Sequence, residues 1–81
     1  MRVTVVFPDN TIGIDGDFRK FAEVIKDDQN WRVIQWYDTY GNIEVYQGDR
    51  IWLNSIDLVQ PYIDQWNSWT PPAPQEETPA A

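Results

Sequence analysis

Between Asn30 and Ser55 the chain reads NWRVIQWYDTYGNIEVYQGDRIWLNS, a stretch that holds half of all its aromatic residues. Over Trp31 to Asp38, Ile34 and Trp36 fall on one face of an extended chain, while Trp31, Val33 and Tyr37 fall on the other. A strand apolar on both sides belongs near the middle of a sheet. Gly41-Asn42 is a turn signal, after which Ile43 and Val45 alternate with Glu44 and Tyr46. Gln47-Gly48-Asp49 turns the chain again, and Arg50 to Asn54 places Ile51 and Leu53 on one face. The pattern predicts an antiparallel meander of three strands.

The residues before it predict more sheet. Val3, Val5 and Phe7 alternate with Arg2, Thr4 and Val6, Pro8-Asp9-Asn10 supplies a turn, and Ile12 and Ile14 resume the alternation over Thr11 to Asp15. An N-terminal hairpin is expected, ended by Asp15-Gly16-Asp17. Phe18, Phe21, Ala22, Val24 and Ile25 then recur at helical spacing, which favours a short helix over about Phe21 to Asp28. Phe18-Arg19-Lys20 can alternatively continue from the turn as a third short strand.

Behind the meander, Asn54 and Ser55 are both suitable N-caps, and Ile56, Val59, Ile63 and Trp66 form an apolar stripe at helical intervals. Pro61 loses one helical hydrogen bond and crowds the preceding turn. The expectation is therefore a single turn at about Ile56 to Val59, a break, and a helix from Pro61 to about Ser68. The fold class expected is α+β: an antiparallel sheet of about four or five strands, hairpin plus meander, with the C-terminal helix packed on one face. Residues 1–69 would form this single domain. From residue 70 the chain runs TPPAPQEETPAA, Pro-rich, acidic and without large apolar groups, as expected of a disordered tail; its one Pro-x-x-Pro spacing arises easily by chance.

Composition narrows the chemistry. The chain has neither Cys nor His, which removes disulfides, thiolate metal sites and the usual nucleophile pairs, so a cofactor, a metal and an enzymatic role are not expected. A net charge of −7 argues against binding nucleic acid or an anionic membrane surface. The acidic pairs Asp15 with Asp17 and Asp27 with Asp28, and Asp49 beside Arg50, lie in expected turns, where Asp is favoured for its bonds to local backbone. With no apolar run long enough for a signal peptide or a bilayer span, a cytoplasmic location is expected.

The aromatics are the remaining candidates. Most should build the sheet and its contact with Trp66, but Trp31, Tyr37, Tyr46 and Trp52 cannot all pack beneath one helix. These four are the expected protein-binding residues, with weak self-association as a second use of the same patch.

Three segments carry a resemblance. VTVVFPDNTIGIDGDFRK, then Gln35-Trp36, Gly41 and Ile43-Glu44, then Gln60-Pro61 followed by Asp64-Gln65-Trp66, resemble small uncharacterised proteins encoded by tailed phages and prophages near tail-fibre genes. The likeness spans roughly residues 1 to 69. It implies a non-enzymatic accessory protein of tail or tail-fibre assembly, in the host cytoplasm or associated with the virion, that binds another phage or host protein. It transfers no catalytic residue. Two other readings compete: a small acidic DNA mimic that blocks a host nucleic-acid-binding protein, and a carboxylate-based hydrolase.

Overall fold

A computed structural model describes residues 1–26 and 28–70. Six antiparallel strands form one sheet: β1 (Arg2–Val6), β2 (Thr11–Ile14), β3 (Asp17–Lys20), β4 (Trp31–Tyr37), β5 (Gly41–Val45) and β6 (Ile51–Leu53). Their order across the sheet is β3-β2-β1-β4-β5-β6. The sheet is thus two meanders of three strands each, joined by antiparallel pairing of their first strands, with Val3 opposite Trp36 and Val5 opposite Ile34. A single α-helix, α1 (Gln60–Asn67), closes one face, so the architecture is α+β as the patterning predicts.

The strand beyond the expected four or five is β3. Its existence follows from Asp15 and Gly16, which take φ values of 49° and 89° and make a two-residue hairpin turn. Such turns need positive φ at both central residues, and Asp-Gly tolerates that well. The turn sets Ile14 opposite Asp17, so Phe18 lands opposite Gly13.

The helix expected over Phe21 to Asp28 does not form. The described residues of that segment run as an irregular strap, because their backbone groups have partners elsewhere. Phe21 N–H donates to the Asn10 carbonyl and Val24 N–H to Asn10 Oδ1, while Gln65 both accepts from Ile25 N–H and donates to the Glu23 carbonyl. Asn10 itself sits at φ 50°, a left-handed position that Asn accepts more readily than most residues. The helical spacing of Val24 reflects its need to be buried, which the strap meets without a helix.

One contiguous core lies between sheet and helix. Val3, Val5, Phe7, Ile12, Ile14, Ile34, Trp36 and Ile43 meet Val59, Tyr62 and Ile63, with Val45, Leu53, Ile56, Leu58 and Trp66 at its margin. Fully burying an aliphatic side chain contributes about 2 kcal/mol, which is how so short a chain offsets its ordering entropy. Ile51 shares a face with Leu53 as the alternation predicts, but on edge strand β6 it stays 42% exposed. The entry to the helix follows the expected pattern. Ser55 accepts from Asp57 N–H, a 3-10 turn spans Ile56–Leu58, and Pro61 occupies the first turn of α1. The expected tail from Pro71 onward lies outside the described residues. Among the described residues no helix is long and apolar enough to cross a membrane.

Candidate functional site: the uncovered sheet face

Strand register shows what the helix leaves open. One row crosses all six strands on the face opposite α1: Phe18, Gly13, Thr4, Gln35, Asn42 and Trp52, each directly opposite the next. At ordinary inter-strand spacing the row spans about 24 Å. Its ends are exposed aromatics on the two edge strands, Phe18 at 57% and Trp52 at 66%. Its centre is polar. Thr4 Oγ1 donates to Gln35 Oε1 at 3.1 Å, and Asn42, only 5% exposed, lies between Gln35 and Trp52. Gly13 has a local reason to lack a side chain, since a Cβ there would meet the Phe18 ring.

Beside this row lie Arg2, Tyr37 and Tyr40. Arg2 is opposite Tyr37, its guanidinium 5.2 Å from the ring centroid, and the Tyr37 and Tyr40 rings are 5.2 Å apart. A shallow cavity of about 250 Å³ opens between Arg2, Thr4, Gly13, Gly16 and Phe18. The charge of this face is opposite to that of the chain. Alternation and register place Arg2, Lys20 and Arg32 on it, against Glu44, which pairs with Arg32.

The four expected binding residues are not brought together. Tyr37 and Trp52 are on the open face. Trp31 is not: it is 9% exposed, opposite Val45, with its ring centroid 6.3 Å from that of core Phe7. The reason is a β-bulge. Register shifts between Trp31 and Val33, so Arg32 is an extra residue and the alternation reverses across it. Trp31 therefore turns to the core face. Tyr46 is exposed but lies just past the end of β5, beside Lys26, whose ammonium also approaches Phe7. Tyr46 and Tyr37 sit at opposite ends of the β4-β5 pair, on the order of 20 Å apart.

Phe18, Tyr40, Thr4, Gln35 and Asn42 were missed as site residues. Phe18 could have been found from the Asp15-Gly16 turn, which fixes its partner once read as a two-residue hairpin. The polar row carries no signal of its own, because Thr, Gln and Asn on one face of a strand read as ordinary solvent-side residues.

Several of the acidic residues are held by partners within the fold. Asp15 Oδ1 accepts from Arg2 N–H, Asp28 Oδ1 from Asn30 N–H, and Asp17 pairs with Arg19. Asp38 takes the α-ammonium of Met1 at 2.7 Å, and that bond raises the pKa of the amino group above 8.0, against a smaller lowering by desolvation. Among the described residues no three or more Asp or Glu converge as metal ligands would. Comparison with known proteins finds no family model, no curated protein and no solved structure that matches the chain.

Proposed function

We propose that this chain is a non-enzymatic protein-binding domain of a phage or prophage, an accessory of tail or tail-fibre assembly, that docks its partner on the uncovered face of the sheet. The phage setting rests on the resemblance carried by Gln35-Trp36, Ile43-Glu44 and Gln60-Pro61. Docking rests on one observation: an uncovered sheet face bears Phe18, Tyr37, Tyr40 and Trp52 around a hydrogen-bonded polar row. Aromatic groups with polar atoms between them are the composition of protein interfaces, where rings supply area and amides supply register. Lost mobility is small on a sheet, so less ordering entropy opposes binding.

The local charge tells against the DNA-mimic reading. A mimic needs aligned acids on its exposed face, whereas register places Arg2, Lys20 and Arg32 on this face and Glu44 there is paired with Arg32. The fitting partner surface is neutral to acidic.

The test is capture from phage-producing cells by the full chain and by its Tyr37→Ala and Trp52→Ala variants, with recovered proteins identified by mass spectrometry. The proposal expects a tail or fibre protein with the unaltered chain and its loss with both variants. Undiminished recovery by both variants would overturn the assignment of the face. Recovery of a host nucleic-acid-binding protein, insensitive to both, would favour the mimic.

A further inference from the structure

The two edges of the sheet differ in a way the open face does not explain. Just past β3, Phe21 N–H bonds to the Asn10 carbonyl, so alternation turns the backbone of Lys20 and Phe18 off the edge. There the Lys20 carbonyl accepts the Trp69 indole N–H at 3.0 Å, and the lysine itself flanks the strand. An indole cap and a flanking charge both oppose addition of another strand.

β6 is flanked by Arg50 but has no indole cap among the hydrogen bonds of the described residues. Tyr37 N–H donates to the Tyr40 carbonyl, which makes Gln35 and Asn42 a bonded pair and directs Gly41 and Ile43 of β5 toward β6. Their partners are Leu53 and Ile51, so Trp52 between them points its N–H and C=O outward from the sheet. Both side-chain faces of the same strand are apolar and open, Ile51 at 42% and Trp52 at 66% exposed. Ile51 lies opposite fully buried Ile43, on the face that continues the core, and sits on the edge strand of the sheet.

We propose that the occupant of this edge is the β6 edge of a second copy, paired antiparallel about a two-fold axis at Trp52. The register is self-complementary. Trp52 meets its symmetry mate as a bonded pair, Ile51 meets Leu53 on the helix face, and Arg50 meets Asn54 on the open face, so no like charges oppose each other. The two six-stranded sheets become one, with their open faces continuous. With only three residues in β6 the association is weak and concentration-dependent. It shares Trp52 with the proposed partner docking, but Ile51 lies on the helix face of the sheet and not on the open one, so variants at Ile51 separate the two.

Sedimentation velocity of the full chain from micromolar to millimolar concentration tests this, together with hydrogen exchange at the Trp52 amide. A dimer is expected at high concentration, with Trp52 N–H protected there and exchanging freely on dilution. Trp52→Lys, which sets two ammonium groups face to face, should weaken dimerisation roughly tenfold or more. Ile51→Lys should weaken it without affecting capture of a tail protein, and Phe18→Lys on the opposite edge should leave it intact. A strict monomer at millimolar concentration overturns the proposal. So does a dimer that survives Trp52→Lys, or one whose Trp52 amide stays exposed in the unaltered chain, a readout that requires no variant to fold.

Discussion

In the first meander, β1 to β3, the outer strand is tied down by the end of the helix: Trp66 and Trp69 donate their indole N–H groups to the carbonyls of Asp17 and Lys20, and Arg19 donates to the Trp66 carbonyl. The Arg19 guanidinium also lies 3.6 Å from the Trp66 ring centroid and 5.1 Å from that of Trp69. In the second meander, β4 to β6, the outer strand has three residues and Trp52 stands 66% exposed. Both halves use a glycine in the middle strand and an aromatic on the open face of the outer one. The difference shows that a helix of eight residues can secure one edge of a six-stranded sheet and not both. What it leaves free is the part of the molecule available for association.

The largest expected effect compares two tryptophans. Trp66→Ala removes the ring beneath Arg19 and one indole hydrogen bond, and should lower unfolding free energy by about 3 kcal/mol. Trp52→Ala, measured in urea at concentrations where the chain is monomeric, should change it by less than about 0.5 kcal/mol. Equal losses would erase the distinction between the two edges.

A second pair concerns the glycines. A Cβ on Gly41 would run into the Gln35 backbone carbonyl and the Trp36 ring, neither of which can move without disturbing the centre of the sheet. Gly41→Ala should cost about 2 kcal/mol. A Cβ on Gly13 meets only the Phe18 ring, which can swing into solvent, so Gly13→Ala should cost less than about 1 kcal/mol. A larger loss at Gly13 would mean that Phe18 is held in place on the open face.

Gln65 sharpens the first half further, because it ties the irregular strap to the helix through both Ile25 N–H and the Glu23 carbonyl. Gln65→Ala should cost about 1 kcal/mol and speed exchange of the Ile25 amide. The Val24 amide, held by Asn10 Oδ1, should keep its protection.

The smallest effect is one of pH. The Met1 amino group has its pKa raised above 8.0 in the folded chain, chiefly by the hydrogen bond to Asp38. A raised folded value means that the stabilisation is fully present below pH 8.0 and is lost as pH rises through the folded value. Asp38→Asn should therefore lower the urea midpoint slightly at neutral pH, and the difference from the unaltered chain should vanish at higher pH.

Much of this fold was readable as alternation. Val3, Val5, Ile12, Ile34, Trp36 and Ile43 reach the core on the faces that period two assigns them, and Pro61 lies in the first turn of the helix as its fixed φ predicts. Trp31 was not readable, because a bulge at Arg32 reverses the alternation and nothing in the local residue types announces it. The strap at 21–26 misled for another reason: apolar residues at helical spacing can equally be sites pinned one by one by distant side chains such as Asn10 and Gln65. Of the candidate surface, Tyr37 and Trp52 followed from the pattern, whereas the row joining Phe18 to Trp52 exists only once six strands are in register.

The sheet has one helix-covered and one open face, with Trp31 on the first and Trp52 on the second. Fluorine NMR of the chain labelled at its five tryptophans, with a soluble paramagnetic probe, reads both directly. Strong broadening of the Trp52 resonance and little change at Trp31 and Trp36 are expected. Broadening of Trp31 to the same degree as Trp52 would contradict that placement.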